Sequence, residues 1–471
     1  MEPFLWGGLR ALLFSLILTP ICRDVFRSYR VVDEPGEARK LHRQPIPRVG
    51  GIAIALSYLL AYVFSSEATG ILSREGLSVW KLLPAAAAIF AAGLIDDLWG
   101  LKPWQKLTGQ GLCALLAFAA GIRVLGVAAY PLSLWWSLPL TVFWLLLCIN
   151  AFNLVDGMDG LAAGVGLFAS LAIFLSALIE GSQGLALATF PLAMALLGFL
   201  CFNFNPATIF LGDSGSMLIG FLLGCYGAVW SQKSATLLAA TAPLMVLSIP
   251  LLDVTLCVVR RFLHKRPIFA ADRGHIHHRL LDRGLTPRQA VLLLYAGCAL
   301  AASFSLLQRL LHNTALSVLL LLLFCAVLWI SVQYLNYSEF ALARQLIVGG
   351  EWREVLRARL KLLGLKRTLA AAATVEECWR VVCEASRDFG FCFVRLRFQD
   401  ESREETFGPP AAGPYWSLHV PLSREDSIEL RREFGSSLPP LIVSAFVDTL
   451  RDILAAKLPA PEVAPVSGMV R

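Results

Sequence analysis

Charge is what this 471-residue sequence is short of: Asp, Glu, Lys and Arg make up 16% of it, against 57% apolar residues. Soluble domains carry about 25% charged residues. The shortage argues against a wholly soluble protein and against disordered or collagen-like chains. The surplus apolar residues are expected to face lipid. A second absence is any CxxC pair or disulfide-like spacing among the 11 cysteines. Most of them sit in apolar runs, where Cys acts as a small hydrophobe. A third is a basic run interleaved with aromatics, so no nucleic-acid partner is expected. Internal repeats and low-complexity tracts are missing as well. The first apolar segment, 4–22, lacks the basic flank and small-residue cleavage site of a signal peptide and reads as a membrane anchor that is kept.

What is present is a long series of apolar stretches, near 4–22, 49–65, 80–96, 107–126, 134–153, 158–179, 185–202, 214–230, 236–259, 289–307 and 314–334. Each is long enough, or nearly so, to span a bilayer. The expected fold is an all-α polytopic membrane protein of about eleven transmembrane helices with a small C-terminal α+β cytoplasmic domain. The net charge of +7 lies entirely before residue 335. One set of loops carries most of it, with Arg43, Arg48, Lys102, Lys106, Arg260, Arg261, Arg279 and Arg283 among its members; the alternate set has few basic residues. The positive-inside rule makes the first set cytoplasmic, with the N-terminus outside and the C-terminus inside.

After residue 334 the composition changes to equal numbers of acids and bases, 18 of each. The pattern predicts helices over 351–364 and 374–390, strands over 391–398 and 415–421 separated by a polar loop at Gly408, Pro409 and Pro410, and a closing helix over 439–458. The domains expected are thus a membrane domain over 1–334, a linker and amphipathic helix over 335–370, the small domain over 371–458, and a disordered tail over 459–471.

The polar motifs gather on the cytoplasmic side. Gly93-Leu-Ile-Asp-Asp-Leu-Trp-Gly-Leu101 puts Asp96 and Asp97 side by side at a membrane boundary. Their repulsion would be relieved by a cation, and Mg²⁺ characteristically uses one or two carboxylates plus substrate phosphates; a helix simply stopped by solvated acids is the plainer reading. Asn150-Ala-Phe-Asn-Leu-Val-Asp-Gly-Met-Asp-Gly-Leu161 repeats a polar group every third residue, so Asn150, Asn153, Asp156 and Asp159 would share a slowly drifting helix face. A polar corner between helices is the alternative. In Asn203-Phe-Asn-Pro-Ala-Thr-Ile-Phe-Leu-Gly-Asp-Ser-Gly-Ser216, Asp213 could bind metal in a backbone cradle or could cap the next helix. Ala271-Asp-Arg-Gly-His-Ile-His-His-Arg-Leu280 concentrates His275, His277 and His278 beside Arg279. With no Cys nearby in sequence, diphosphate binding fits better than structural zinc, and a solvated cluster stays open. In Arg39-Lys-Leu-His-Arg-Gln-Pro-Ile-Pro-Arg-Val-Gly-Gly51, the groups Lys40, Arg43 and Arg48 could contact phosphates. The positive-inside rule accounts for their charge equally well, but less well for the Pro-x-Pro and Gly-Gly. Asp253, inside an apolar stretch, is a site candidate by position, although pairing with Arg260 or Arg261 would explain it too, so it is left out of the core site.

In this order, and on one membrane side, these motifs resemble the polyprenyl-phosphate N-acetylhexosamine-1-phosphate transferase family (glycosyltransferase family 4) over roughly residues 1–334. The His-Ile-His-His form is similar to the branch that initiates O-antigen, enterobacterial common antigen or teichoic acid chains. It differs from the muramoyl-pentapeptide branch, which has three consecutive His followed by Phe-Glu. The resemblance implies a multi-pass enzyme of the bacterial cytoplasmic membrane that transfers N-acetylhexosamine 1-phosphate from a UDP-sugar, GlcNAc above all, to undecaprenyl or another polyprenyl phosphate. It implies Mg²⁺, with Mn²⁺ as a substitute, held by Asp213 with Asp96 or Asp97, either of which could also take a proton from the lipid phosphate. Asn153, Asp156 and Asp159 would line the nucleotide pocket, Phe210 would stack on uracil, and His275, His277 and His278 would hold diphosphate or sugar. A covalent aspartyl-phosphate route, a homodimer, and a regulator or partner docking on the C-terminal domain, whose pattern resembles a GAF-like sensor fold, remain open. From other classes, a secondary transporter would explain intramembrane acids and broken helices, but it calls for paired repeats. A signalling receptor gives no reason for five polar motifs on one side.

Overall fold

The computed structural model describes residues 2–33, 45–64, 79–127, 130–232, 237–263, 274–311, 313–335, 351–398, 401–408, 414–422, 426–433 and 440–457. The chain forms two compact units, residues 1–335 and 336–471.

The first unit is helical. It holds α1 (Glu2–Ser28), α2 (Gly50–Val63), α3 (Val79–Trp99), α4 (Pro103–Ala119), α5 (Leu134–Val155), α6 (Leu161–Ile179), α7 (Gln183–Asn203), α8 (Gly212–Gln232), α9 (Leu237–Val246), α10 (Ser248–Leu263), α11 (Ile276–Asp282), α12 (Pro287–Leu310) and α13 (Thr314–Tyr334). Two short antiparallel pairs interrupt them, β1 (Val32–Asp33) with β2 (Ile46–Pro47) and β3 (Gly126–Val127) with β4 (Tyr130–Pro131). Among the described residues, eight helices are long and apolar enough to cross a membrane: α1, α3, α5, α6, α7, α8, α12 and α13. The chain is a multi-pass membrane protein. The expected span over 49–65 is the shorter helix α2, 14 residues long, or about 21 Å at 1.5 Å per residue. The stretch expected as one helix over 236–259 is two, α9 and α10, meeting at Leu247. Pro250 has no N–H to give the Val246 carbonyl, which removes a helical bond at that junction.

Helix α8 is the centre of this unit. It packs on α2, α3, α5 and α6 and is almost wholly buried. Small residues permit this, because without a hydrophobic drive between helices in lipid, close backbone approach supplies the contact. A side chain at Gly220, for example, would fall 2.7 Å from the Cys148 carbonyl oxygen. By contrast, α13 turns Leu319, Leu322 and Ile330 outward. Exposed Trp135 and Trp136 begin α5, and exposed Trp99 and Trp104 flank the α3–α4 corner at the opposite end, the amphipathic rings expected at membrane–water boundaries.

The second unit contains α14 (Glu351–Ala371), α15 (Val375–Asp388), β5 (Phe393–Phe398), β6 (Glu401–Thr406), β7 (Tyr415–Pro421), β8 (Ser427–Glu433) and α16 (Pro440–Lys457). The sheet is antiparallel in the order β6-β5-β8-β7. Alternation sends Val394, Leu396, Ile428 and Leu430 to a core shared with Leu369, Val382, Phe446 and Leu450 of the helices. Leu362, Leu365 and Leu369 of α14 belong to that core, so the amphipathic helix assigned to the linker is part of the unit. Two strands were not expected. Strand β6 reads Glu-Ser-Arg-Glu-Glu-Thr and has no apolar face, which suits an edge strand that must not pair further. Strand β8 alternates correctly, but Arg431 and Arg432 hide its apolar members.

Candidate active site

The site is built where the ends of α3, α5 and α8 meet. Helix α3 ends in Asp96-Asp97-Leu-Trp, and the chain turns at Gly100, whose N–H donates to the Asp96 carbonyl at 2.9 Å. Asp96 Oδ1 accepts the Leu101 N–H at 2.6 Å, which closes the corner. Pro103 starts α4, a position where its missing N–H costs nothing. This places Lys106, on the first turn of α4, with Nζ 2.8 Å from Asp96 Oδ2 and 2.8 Å from Asp213 Oδ2.

Asp97 is used differently. Its side chain is 1% exposed. Its two oxygens accept the backbone N–H groups of Asp213 at 2.7 Å and Ser214 at 2.9 Å. It therefore caps α8 from a neighbouring helix, satisfying amides that the helix itself leaves open. The loop before α8 is pinned on its other side by the first polar loop. Phe210 N–H donates to the Pro47 carbonyl at 2.8 Å, Gly50 N–H to that of Phe210 at 2.9 Å, and Gly51 N–H to that of Leu211 at 2.9 Å. The Gly-Gly pair is required by space: a Cβ at Gly51 would lie 2.3 Å from Gly215 N. Gly212 has φ +76°, a left-handed conformation that glycine adopts without strain.

Asp213 becomes the hub. Oδ1 accepts from Asn153 Nδ2 at 2.7 Å and from Arg48 Nη2 at 3.3 Å, while Oδ2 takes Lys106. Arg48 Nε also lies 3.6 Å from Asp97. Burial alone would lower the Arg48 pKa, but Asp213, Asp97 and Asp156 raise it above its ordinary value.

The polar repeat does not stay on one helix face. Helix α5 stops at Val155, and residues 156–160 form a turn that ends in left-handed Gly160. Asn153 goes to Asp213. Asn150, one turn earlier, exchanges amide bonds with Gln110 of α4 at 2.7 and 3.4 Å. Asp159 Oδ2 accepts from Asn205 Nδ2 and Ala207 N–H, both at 3.0 Å, and Arg288 Nε holds the Asn205 carbonyl at 2.9 Å. Asp156, among the described residues, is in no hydrogen bond or ion pair. Burial raises its carboxyl pKa to about 8; Arg48 opposes that shift, and Asp213, Asp97 and Asp159 add to it.

The histidines stand over this turn. A Cβ at Gly157 would lie 2.7 Å from His277 Nε2, so the glycine makes room for the imidazole. Burial, then His278, lower the His277 pKa to about 3, which keeps it neutral. His278 is 4.3 Å from His277, ring to ring. The backbone N–H of Arg279 donates to the His275 carbonyl at 3.1 Å. Cys257 Sγ sits 3.8 Å from His275 Nε2, a neighbour that sequence distance had concealed. Asp253 meets His275, and among the described residues its hydrogen bonds do not go to Arg260 or Arg261, the alternative left open above. Lys40 and Arg43 lie outside the described residues.

The chain is 32% identical, over 328 residues, to the probable undecaprenyl-phosphate N-acetylglucosaminyl 1-phosphate transferase of Bacillus subtilis (strain 168), covering 68% of this chain and 88% of that protein. The Glycosyl transferase family 4 model matches residues 79–231. The chain belongs to glycosyl transferase family 4. It is also 38% identical over 322 residues to the decaprenyl-phosphate N-acetylglucosaminephosphotransferase of Mycolicibacterium smegmatis, covering 61% of this chain and 78% of that protein. With the undecaprenyl-phosphate alpha-N-acetylglucosaminyl 1-phosphate transferase of Escherichia coli (strain K12) it shares 29% identity over 324 residues, 67% of this chain and 86% of that protein.

The stretch matched to family 4 contains Asp96, Asp97, Lys106, Asn153, Asp156, Asp159 and Asp213; Arg48 and the histidines come from outside it. Among the described residues, no three His, Cys, Asp or Glu converge tightly enough to hold a metal by themselves. The donor set still suits a hydrated cation that brings phosphate ligands with it. Asp96 and Asp213 already share one cation, the Lys106 ammonium, and their side chains keep 10% and 15% exposure. Asp97, with both oxygens on amides, fits that role less well. Lys106 was read only as a loop charge; the signal for its place was a helix start at Pro103 that folds back on two acids.

Proposed function

We propose that this protein transfers N-acetylglucosamine 1-phosphate from UDP-N-acetylglucosamine to a polyprenyl phosphate at the cytoplasmic face of the bacterial inner membrane. The names of its relatives supply the sugar and lipid classes. The observation that carries the reading is Asp213, at the start of the buried helix α8 and bound at once by Asn153, Arg48 and Lys106. A site that balances clustered acids against two cations at a membrane boundary is suited to an anionic lipid headgroup and a diphosphate. The cytoplasmic side follows from the basic loops, and counting α2, α4 and the α9–α10 pair as crossings gives eleven.

In the reaction, an oxygen of the lipid phosphate attacks the β-phosphorus of the nucleotide sugar. The bond from that phosphorus to the bridging oxygen breaks, and UMP leaves with the electron pair. Mg²⁺, held by Asp213 and Asp96, would neutralise charge on the diphosphate and the departing UMP. Arg48 and Lys106 stand beside the same carboxylates and would steer both phosphates. The lipid phosphate has a second pKa near 6 and arrives largely ionised, so positioning outweighs base strength. Asp156, in no hydrogen bond or ion pair among the described residues, is placed to exchange the remaining proton with the lipid phosphate. Asp159 fixes the Asn205 loop, and His277 and His278 face the turn that would receive the sugar diphosphate.

The test is purified protein in detergent with UDP-N-acetylglucosamine, undecaprenyl phosphate and Mg²⁺, with UMP and lipid-linked sugar measured together. Lipid-dependent UMP release, abolished by EDTA and by Asp213→Asn, is expected. Turnover with a different UDP-N-acetylhexosamine alone would correct the sugar. Folded protein inert towards every UDP-sugar would overturn the reading.

A further inference from the structure

Helix α10 turns one stripe toward the segment that leads into the histidines. Asp253, Cys257 and Arg260 are spaced i, i+4 and i+7, which puts them on one face. Each meets a successive part of the chain from Gly274 to Ile276. The Arg260 guanidinium fills the space a side chain at Gly274 would need, with Nη1 1.2 Å from a Cβ built there. Cys257 Sγ reaches His275 Nε2 at 3.8 Å. Asp253, 2% exposed, holds His275 Nδ1 with Oδ2 at 2.9 Å and accepts the Ile276 N–H with Oδ1 at 2.8 Å.

Ile276 is the first residue of α11, and His275, its N-cap, makes no side-chain capping bond. Asp253 supplies that bond from another helix, so one buried carboxylate fixes both the start of α11 and the orientation of the His275 ring. The His275 ring is nearly parallel to that of His277 at 5.6 Å and 8°. His277 Nε2 in turn occupies the space beside Gly157. A continuous path therefore runs from Asp253 through His275 and His277 to the turn that carries Asp156 and Asp159. Among the described residues, the hydrogen bonds of Asp253 go to His275 and Ile276 alone, so any effect it has on the site passes through them.

We infer that Asp253 is a positioning residue for the nucleotide-sugar half of the reaction: through His275 it sets where His277 and His278 stand against residues 156–160. This rests on the reading that this turn receives the UDP-sugar. Outer groups that orient a metal-bound histidine are typically worth about 10–100-fold, and the lower end of that range is the effect expected for a histidine that holds a diphosphate.

The experiment uses the full chain in detergent, with Asp253→Asn, Asp253→Glu, His275→Asn and the Asp253→Asn/His275→Asn double variant, each checked by its melting temperature. Asp253→Asn is expected to raise KM for the UDP-sugar about 10-fold or more and to leave KM for the polyprenyl phosphate unchanged. Asp253→Glu should recover part of the loss, and the double variant should be no worse than the poorer single one. Labelling by diethyl pyrocarbonate, read by mass spectrometry at His275 and His277, should rise in Asp253→Asn. An unchanged UDP-sugar KM, equal rises in both KM values, multiplying losses in the double variant, or unchanged labelling would each overturn the inference. Should Asp253→Asn not fold, His275→Asn, which keeps the bond to Ile276, is judged by the same KM split. If wild-type protein shows no turnover, the transferase reading fails on its own, and the labelling still decides whether Asp253 holds the histidines.

Discussion

The two units use charge in opposite ways. In the first, few charges are present and they converge: Asp96, Asp97, Asp213, Arg48 and Lys106 share partners at the end of a buried helix. In the second, charges are plentiful and dispersed over the outward face of a sheet. There Arg395 pairs with Glu404 and Glu429, and Arg431 pairs with Glu429 beside the Phe393 ring. The physical difference is access to water. An exposed pair is worth at most about 1 kcal/mol, whereas removing one partner from a buried set costs roughly 3–5 kcal/mol. Placement, and not abundance, marks the chemistry.

The contrast would be broken most severely at Asp213. Asp213→Asn keeps the shape and the Asn153 contact but removes the charge that Lys106, Arg48 and the reacting phosphates share. Turnover should fall on the order of 10³-fold with the protein still folded, as gauged by its melting temperature and UMP release. Retention of more than a tenth of the activity would mean that the convergence is structural. Lys106→Met comes next. It leaves Asp96 and Asp213 facing each other without their shared ammonium, and kcat/KM for the lipid phosphate should drop roughly 10–100-fold. Asp97→Asn separates capping from chemistry. An amide can accept only one of the two N–H groups that Asp97 now takes, so a loss of about 1–3 kcal/mol in stability is expected, visible as a lower melting temperature.

The sequence was most legible where one residue type does one job. The Asp96-Asp97 pair, Asp213 and the histidine cluster stand out because acids and imidazoles are costly between apolar helices, and the structure brings all of them to one end of the bundle. It was least legible where a partner comes from a distant element. Lys106 as a bridge, Cys257 beside His275 and the Asp253 carboxylate under the Ile276 N–H depend on helix packing, which no local pattern encodes. The drifting face read from Asn150 to Asp159 failed for a local reason, since the chain leaves the helix at Asp156 and turns through Gly157 and Gly160. In the second unit, strand β6 escaped notice because an edge strand with no apolar face looks like a loop.

A smaller test uses pH to compare the buried pair with the surface. Burial, the largest single influence, pulls the His275 pKa down, but the hydrogen bonds to Asp253 and Cys257 and the charge of Asp253 together raise it from 6.5 to about 9. Among the described residues, Cys257, His277 and Arg260 are titratable or charged groups that also face this pair. A histidine that binds its proton more tightly when folded stabilises the fold fully below its unfolded value near 6.5. It loses that contribution as pH rises through about 9. The melting temperature of the wild type should therefore decline over this window more steeply than that of His275→Asn. Parallel curves for the two proteins would show that the pair is not charged.

The smallest effect belongs to the second unit, and it completes the contrast. Arg395 and Glu404 face each other across β5 and β6, with side chains 40% and 56% exposed. Water screens the pair, and two long side chains lose freedom to make it, so the coupling measured by a double-mutant cycle over Arg395→Ala and Glu404→Ala should be about 0.2–1 kcal/mol. It should shrink further as salt is raised. Arg395 also touches Glu429, so the single substitution Arg395→Ala should cost more than Glu404→Ala. A coupling of several kcal/mol, insensitive to salt, would mean that this face is shielded from water in the intact protein and that the sheet is a covered surface.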